Sequence, residues 1–288
     1  MKPRSTRREF LKETAAVACA VSALRAAQGL SADALSGPLP TIALGKLEVS
    51  RLILGSNPFY GFHHGNPQAS DKQMRAYYTN ERIMEVLDDA ARQGITAVWS
   101  PPYDNWTRLW SQYQERGGKL KIWIGQPDAG NMKEAIDTCA KYGAKAICIQ
   151  GIMAGDAVLA GKYDLVRGWL EQIKGLGLPA GMASHYPEAL TRAEEAGLPA
   201  EWYHLTIGVP DTFRQADRDK SLATIAKMEK PVVAFKVLGA GRFAPKEAFP
   251  YVLGKLRPKD GMCVAVFPAK DPGQLKDNAA LMRSCGNG

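Results

Sequence analysis

The residues Pro231 to Arg242 read PVVAFKVLGAGR. A lone lysine, Lys236, ends a short apolar run and a glycine-rich turn follows at once. Withdrawing a lysine from water disfavours its charged form. A neutral amine in such a place can act as a base or form a Schiff base with a carbonyl. An ion pair with a carboxylate such as Asp104 or Asp128 would instead make Lys236 structural. Side chains alternate along a strand, so Val232, Ala234 and Lys236 share one face and Val233, Phe235 and Val237 the other. The less bulky face is expected to line the inside of the fold, which directs Lys236 inward.

Gly239-Ala240-Gly241-Arg242, with Lys270 and Lys276, has the composition of an anion site, since glycine amides and nearby cations suit a phosphate. His63, His64 and His185 are the histidines placed to meet a substrate. With Asp104 they have metal-binding chemistry, but no His-x-His or Glu-x-x-His spacing supports a metal, and none is expected. The fourth histidine, His204, is expected to be a satisfied structural residue near the start of its strand. Trp99, Tyr103, Trp106 and Trp110 form an aromatic group suited either to a sugar face or to plain packing.

The elements that must position these groups alternate with regularity. Short apolar strands are expected at Arg51–Gly55, Ala97–Ser100, Lys121–Gly125, Ala146–Gln150, Ala180–Ser184, Tyr203–Gly208, Val232–Lys236 and Met262–Phe267. A long polar loop, Ser56–Thr79, follows the first. Helical spacing follows most strands: Ile83, Val86, Leu87 and Ala90 share one face behind an Asn80 cap, and Val166, Trp169, Leu170 and Ile173 another. Asn131 caps a helix that Gly143 stops, and Pro187 opens another. Pro250 bends the seventh helix. Eight strand–helix units in one α/β chain predict a (β/α)8 TIM barrel. Gly55-Ser56-Asn57-Pro58 lacks the glycine fingerprint of a doubly wound dinucleotide fold. Active sites of TIM barrels lie at the C-terminal strand ends. That is where Tyr103, Asp104, Gln126, Asp128, Gln150, His185, Lys236 and Lys270 fall.

The 288 residues suffice for one large domain, and 45% hydrophobic with 23% charged residues is ordinary for a globular protein. The net charge is +8, of which the first 34 residues supply +3. The remaining +5, without aromatic-interleaved basic clusters, argues against nucleic acid as a partner. Beyond that segment Cys139, Cys148, Cys263 and Cys285 show no Cys-x-x-Cys pairing, and the first three read as small buried residues.

Thr6-Arg7-Arg8-Glu9-Phe10-Leu11-Lys12 and the alanine-rich run Thr14–Leu24 form a charged head and a short apolar stretch. This is the anatomy of an export signal, too short for a stable membrane anchor. It resembles the twin-arginine signal pattern at every position. The resemblance implies export of a folded protein by the twin-arginine machinery, with cleavage near Ala32-Asp33-Ala34 and a periplasmic or extracellular location. The division expected is a signal peptide over 1–34 and a barrel domain over 35–288.

Several strand ends together resemble the aldo/keto reductase family. Leu47–Gly55 is similar to its opening strand and Gly181–Leu190 to its fifth strand and loop. Ala234–Arg242 is similar to its seventh, and Phe267 through Asn278 to its eighth. The resemblance implies an NADP cofactor across strands seven and eight, with Phe235 stacked on nicotinamide. It implies Gly239, Arg242, Lys270, Lys276 and Asn278 as further cofactor contacts. Phe235 and Lys236 cannot both face inward without a twist at the strand end. The family's Asp, Tyr, Lys and His set is not matched. Trp99 stands for the aspartate, Tyr103 lies about one residue out of register, Gln126 replaces the lysine, and Gln150 or Gly151 the histidine. A tyrosine without a cationic neighbour keeps a pKa near 10 and donates poorly at neutral pH.

The leading reading is an exported enzyme derived from the aldo/keto reductase barrel, an NADP-dependent oxidoreductase if the cofactor that the resemblance implies is retained. It would act on a small polar or carbohydrate-like carbonyl compound, with Tyr103, His185 and Lys236 as its chemical groups. A lyase or isomerase using Lys236 without nicotinamide is the second reading, and a non-catalytic small-molecule-binding barrel the third.

Overall fold

A computed structural model describes residues 37–64, 70–210 and 212–286. The expected signal segment, 1–34, and its cleavage site lie outside them. Among the described residues no helix is long and apolar enough to cross a membrane.

The chain first makes an antiparallel hairpin, β1 (Thr41–Leu44) and β2 (Leu47–Ser50). Its turn residue Gly45 has a left-handed backbone (φ +61), and a side chain there would run into Glu201 and Pro179. Those residues precede β8 and β7 below, so the turn lies against the N-terminal rim of the barrel. Ile42, Leu44 and Val49 join the cluster of inward-facing barrel residues, and the hairpin therefore closes that end. The hairpin is not evident from sequence because each strand has four residues of which only two are buried.

Eight parallel strands follow: β3 (Leu52–Gly55), β4 (Ala97–Ser100), β5 (Ile122–Gly125), β6 (Ala146–Ile149), β7 (Ala180–Ser184), β8 (Trp202–Thr206), β9 (Val232–Phe235) and β10 (Gly261–Val264). They pair in chain order, and β10 pairs with both β9 and β3, closing the barrel. All are buried at every position except the first of β5, as strands covered by helices outside and side chains inside must be. This is the (β/α)8 fold that the alternation predicts.

The helices are α1 (Asp71–Tyr77), α2 (Asn80–Arg92), α3 (Asp104–Glu115), α4 (Met132–Lys141), α5 (Gly151–Leu159), α6 (Tyr163–Gly175), α7 (Pro187–Glu195), α8 (Gln215–Lys227), α9 (Pro245–Leu253) and α10 (Gln274–Cys285). Asn131 caps α4 as expected, while α2 is capped one residue earlier than expected. There Thr79 Oγ1 accepts from the Arg82 amide at 3.3 Å. The segment read as a polar loop contains a 3-10 turn, Asn57–Tyr60, and α1. The sequence also hides α5, because GIMAGDAVL is apolar and glycine-rich with no polar stripe. Its place is a close approach to β7: a side chain at Gly155 would meet Ser184 Oγ at 2.6 Å. Cys139, Cys148 and Cys263 are buried and unbridged, and burial raises their thiol pKa values.

Candidate active site at the barrel mouth

A cavity of about 530 Å³ opens at the C-terminal strand ends, against the loops after β3, β9 and β10. Trp99 and Phe235 line it from inside the barrel, Lys236 and His64 from its side, and Arg242 and Lys270 from its rim.

The register decides how Phe235 comes there. It pairs with Thr206 on β8 and Cys263 on β10. Val233 and Phe235 belong to the inward cluster, whereas Val232 and Ala234 pack against the helices. The expected assignment of faces is therefore reversed. Bulk did not settle it, because the barrel interior accommodates Phe235 between Trp99 at 5.3 Å and His185 at 5.6 Å between ring centroids. Strict alternation would then send Lys236 outward. Its backbone is instead left-handed (φ +55), so the strand breaks at this residue and Lys236 reaches the cavity beside Phe235. A non-glycine residue held there costs of order 1–3 kcal/mol.

His64 is held in the same conformation (φ +48). Its Nδ1 lies 3.4 Å from Lys236 Nζ and its Nε2 3.3 Å from the Asn57 side-chain amide. Its carbonyl accepts from Arg242 Nη1 at 3.3 Å. Lys236 Nζ and Asn57 Nδ2 are both donors, and a neutral imidazole accepts at one nitrogen only, so the tautomer of His64 decides which of the two donates to it. Two strained residues from distant parts of the chain thus meet side chain to side chain. His185 stands next to them. Burial, then the charge of Lys236, then His64, lower its pKa to about 4. At neutral pH it is an uncharged imidazole, able to accept a proton or a hydrogen bond.

The other expected residues are distributed as follows. Tyr103 precedes α3 and donates to Asp128 Oδ2 at 2.5 Å. Burial and that carboxylate raise its pKa further above the ordinary tyrosine value, so it holds its proton more tightly. Burial also raises Asp128. Asp128 is thus engaged by Tyr103, and Lys236 contacts His64. His63 pairs with Asp71 at 2.9 Å. Gln126 lines the cavity, while Gln150 turns away to cap α5, accepting from the Ile152 and Met153 amides at 2.7 and 3.1 Å. Trp106 and Trp110 stack at 5.7 Å and pack against Trp123. They belong to the layer between α3 and the sheet, so the aromatic group read from the sequence divides, with Trp99 alone entering the barrel. Among the described residues no cluster of three or more His, Cys, Asp or Glu side chains could hold a metal.

Of the residues expected to hold a cofactor, Phe235, Arg242 and Lys270 line the cavity. Gly239 shapes its wall: a side chain there would meet the Phe243 ring at 2.5 Å. Lys276 and Asn278 lie on α10, with Asn278 buried, and neither is among the cavity's lining residues.

His204 departs from expectation most. It is the middle residue of β8, fully buried, pointing into the barrel at 4.2 Å from the Trp99 ring, and neither ring nitrogen has a hydrogen-bond partner. It is an unsatisfied residue beneath the cavity floor. The alternation Trp202, His204, Thr206 is the signal that could have located it. Asn57 is a further site residue that its type and spacing do not single out; its place beside His64 depends on a turn that periodicity does not register.

No family model and no curated protein matches the sequence. Solved structures do match in fold. A provisionally assigned aldo-keto reductase from Pseudomonas aeruginosa aligns over 85% of this chain and 95% of its own, with TM-score 0.61 and 15% identity. An aldo-keto reductase from Bacillus halodurans, solved in its holo form, aligns over 84% and 90%, with TM-score 0.57 and 12% identity. A truncated 3-deoxy-D-arabino-heptulosonate 7-phosphate synthase from Thermotoga maritima aligns over 85% and 90%, with TM-score 0.52 and 14% identity. At such identities the likeness is one of fold, and it extends to barrels with different chemistry.

Proposed function

We propose that this chain is an enzyme of carbonyl chemistry, an NADP-dependent oxidoreductase whose reacting groups are Lys236 and His64. The observation that carries the reading is the composition of one continuous cavity. It runs from the aromatic rings of Phe235 and Trp99, past Lys236 beside His64, to Arg242 and Lys270. An apolar floor with a cationic rim after β9 and β10 fits a dinucleotide, since phosphate sites in this fold commonly lie after the seventh and eighth strands. Phe235 would carry the nicotinamide, and Arg242 and Lys270 the phosphates. A bound nicotinamide supplies a hydride.

The residues of the chain do the rest. The Lys236 ammonium binds and polarises the carbonyl oxygen and gives it a proton as negative charge develops. His64 orients Lys236, and neutral His185, outside the cavity lining, packs against the Phe235 ring from behind. Tyr103, committed to Asp128 and outside the cavity lining, takes no part. The substrate is a small polar, carbohydrate-like carbonyl compound. The twin-arginine pattern at Thr6–Lys12 supports export of the folded protein to the periplasm or beyond.

The test is NADPH fluorescence on the purified protein. Saturable quenching, weakened about tenfold in Lys270→Ala by loss of one charge contact to phosphate, supports this reading. No binding at millimolar cofactor removes it. A second reading then takes its place, favoured by the position of Lys236 beside two imidazoles. The amine adds to a substrate carbonyl, water leaves, and the resulting imine is trapped at Lys236 by borohydride. Failure of both would leave a binding protein without catalysis.

A further inference from the structure

The inner wall of the barrel is largely apolar, built from residues such as Ile53, Ile124, Ala183, Val233 and Cys263. One strand departs from this. The inward positions of β8 are Trp202, His204 and Thr206, all fully buried. Each carries a polar atom without a partner in the protein: Trp202 Nε1, both His204 nitrogens and Thr206 Oγ1. From β4, on the opposite wall, Trp99 brings a fifth such atom, Nε1, and its ring meets the His204 ring at 4.2 Å. Trp202, His204 and Thr206 lie outside the cavity lining and take no part in the proposed reaction; Trp99 contributes its ring to the cavity floor.

Unmet buried donors and acceptors are costly, and five left dry would cost about as much as the whole net stability of a typical domain. They cannot satisfy one another along the strand. Alternate residues of a strand are roughly 6.6 Å apart, too far for a direct bond. One oxygen making two hydrogen bonds of about 2.8 Å each links polar atoms up to about 5.6 Å apart, which a direct bond cannot. The chemistry also defines the ligand. Burial lowers the His204 pKa to about 3, so the ring is neutral. It then offers one donor and one acceptor, the hydroxyl offers both, and the indoles offer donors. An ion would find no opposite charge among these groups to offset its desolvation. A small neutral molecule that both donates and accepts fits them, and an internal water with two to four polar partners is the ordinary case.

We propose that the barrel contains an internal water site beneath the cavity floor, where water bridges Thr206 Oγ1, the His204 ring and Trp99 Nε1. The floor rings Trp99 and Phe235 then rest on a hydrated layer, and the inner face of β8 is polar because it binds water. This holds whatever reaction the cavity performs.

Water-to-protein NOE spectroscopy on the intact protein tests it, with the Trp99 indole proton assigned through Trp99→Phe. The expected result is a water cross-peak at that proton with the sign of a molecule resident longer than the protein's tumbling time. Thr206→Val supplies an independent measure, since valine keeps the shape and removes the hydroxyl. In a hydrated site it loses a made hydrogen bond, and Tm falls by about 3 °C. In a dry site it removes an unmet group and Tm rises. Absence of the long-lived cross-peak, or a Tm equal to or above that of the native protein, overturns the proposal. Should Thr206→Val fail to fold, the cross-peak on the native protein decides.

Discussion

The two halves of the barrel mouth are built on different principles. At the ends of β4, β5 and β6 the polar side chains are mostly engaged locally: Tyr103 with Asp128 at 2.5 Å, and Gln150 on the first amides of α5. The backbone there is ordinary. At the ends of β3 and β9, Lys236 and His64 are both left-handed and meet at 3.4 Å over a cavity. Left-handed backbone at non-glycine residues persists where the surroundings enforce it, and such strain gathers at functional sites. The residues that stand for the expected catalytic set, Trp99, Tyr103, Gln126 and Gln150, lie at the ends of β4, β5 and β6. The strained pair lies at the ends of β3 and β9.

The largest expected effect separates the two halves by activity. Lys236→Ala should lower carbonyl turnover by about 100-fold or more, as loss of a positioned proton donor does. Tyr103→Phe should change it by no more than about threefold, since it removes a hydroxyl spent on Asp128. Steady-state kinetics on the same substrate decides. The opposite ranking would return the chemistry to β4 and β5.

A second effect lies in the layer beneath the cavity. His204 and His185 have pKa values lowered to about 3 and about 4, while in the unfolded chain both titrate near 6.5. Below that pH the unfolded state takes up protons that the native state refuses. Their contribution is therefore complete above about pH 6.5 and is lost as pH falls toward the native values. Urea unfolding at pH 7 and pH 4.5 should show the drop, and His204→Phe should narrow it by about 3 kcal/mol. An unchanged gap would mean that His204 is protonated in the folded protein.

The smallest effect concerns the strain itself. Lys236→Gly removes the same amine as Lys236→Ala but accepts φ +55 without penalty. It should be the more stable of the two by about 1 kcal/mol, or a Tm about 2–4 °C higher. Equal stabilities would show that the twist at the end of β9 is not enforced.

The fold was legible in the chain because eight apolar runs, each followed by a helix, admit few arrangements. Arg51–Gly55 and Ala180–Ser184 became strands within a residue of expectation. The cationic rim was legible too, since Arg242 and Lys270 follow two such runs. The hairpin and α5 were not, because half-buried strands lack the continuous apolar run that marks the barrel strands, and an apolar glycine-rich helix has no polar stripe. The site was only half legible. Lys236 could be singled out by type, but its face could not be derived: alternation gives two faces and does not say which is inside. His64 could be named, but not its partner 172 positions away.

By itself the sequence determined the barrel, its strand order and the end at which groups of interest gather, because these depend on local periodicity and chain connectivity. Tertiary structure alone decided that Phe235 faces inward, that Lys236 twists to join it, and that His204 lies unpaired beneath them. Those outcomes depend on closure of the barrel, where the space left by opposite strands, and not the preference of any one strand, fixes which side chains meet.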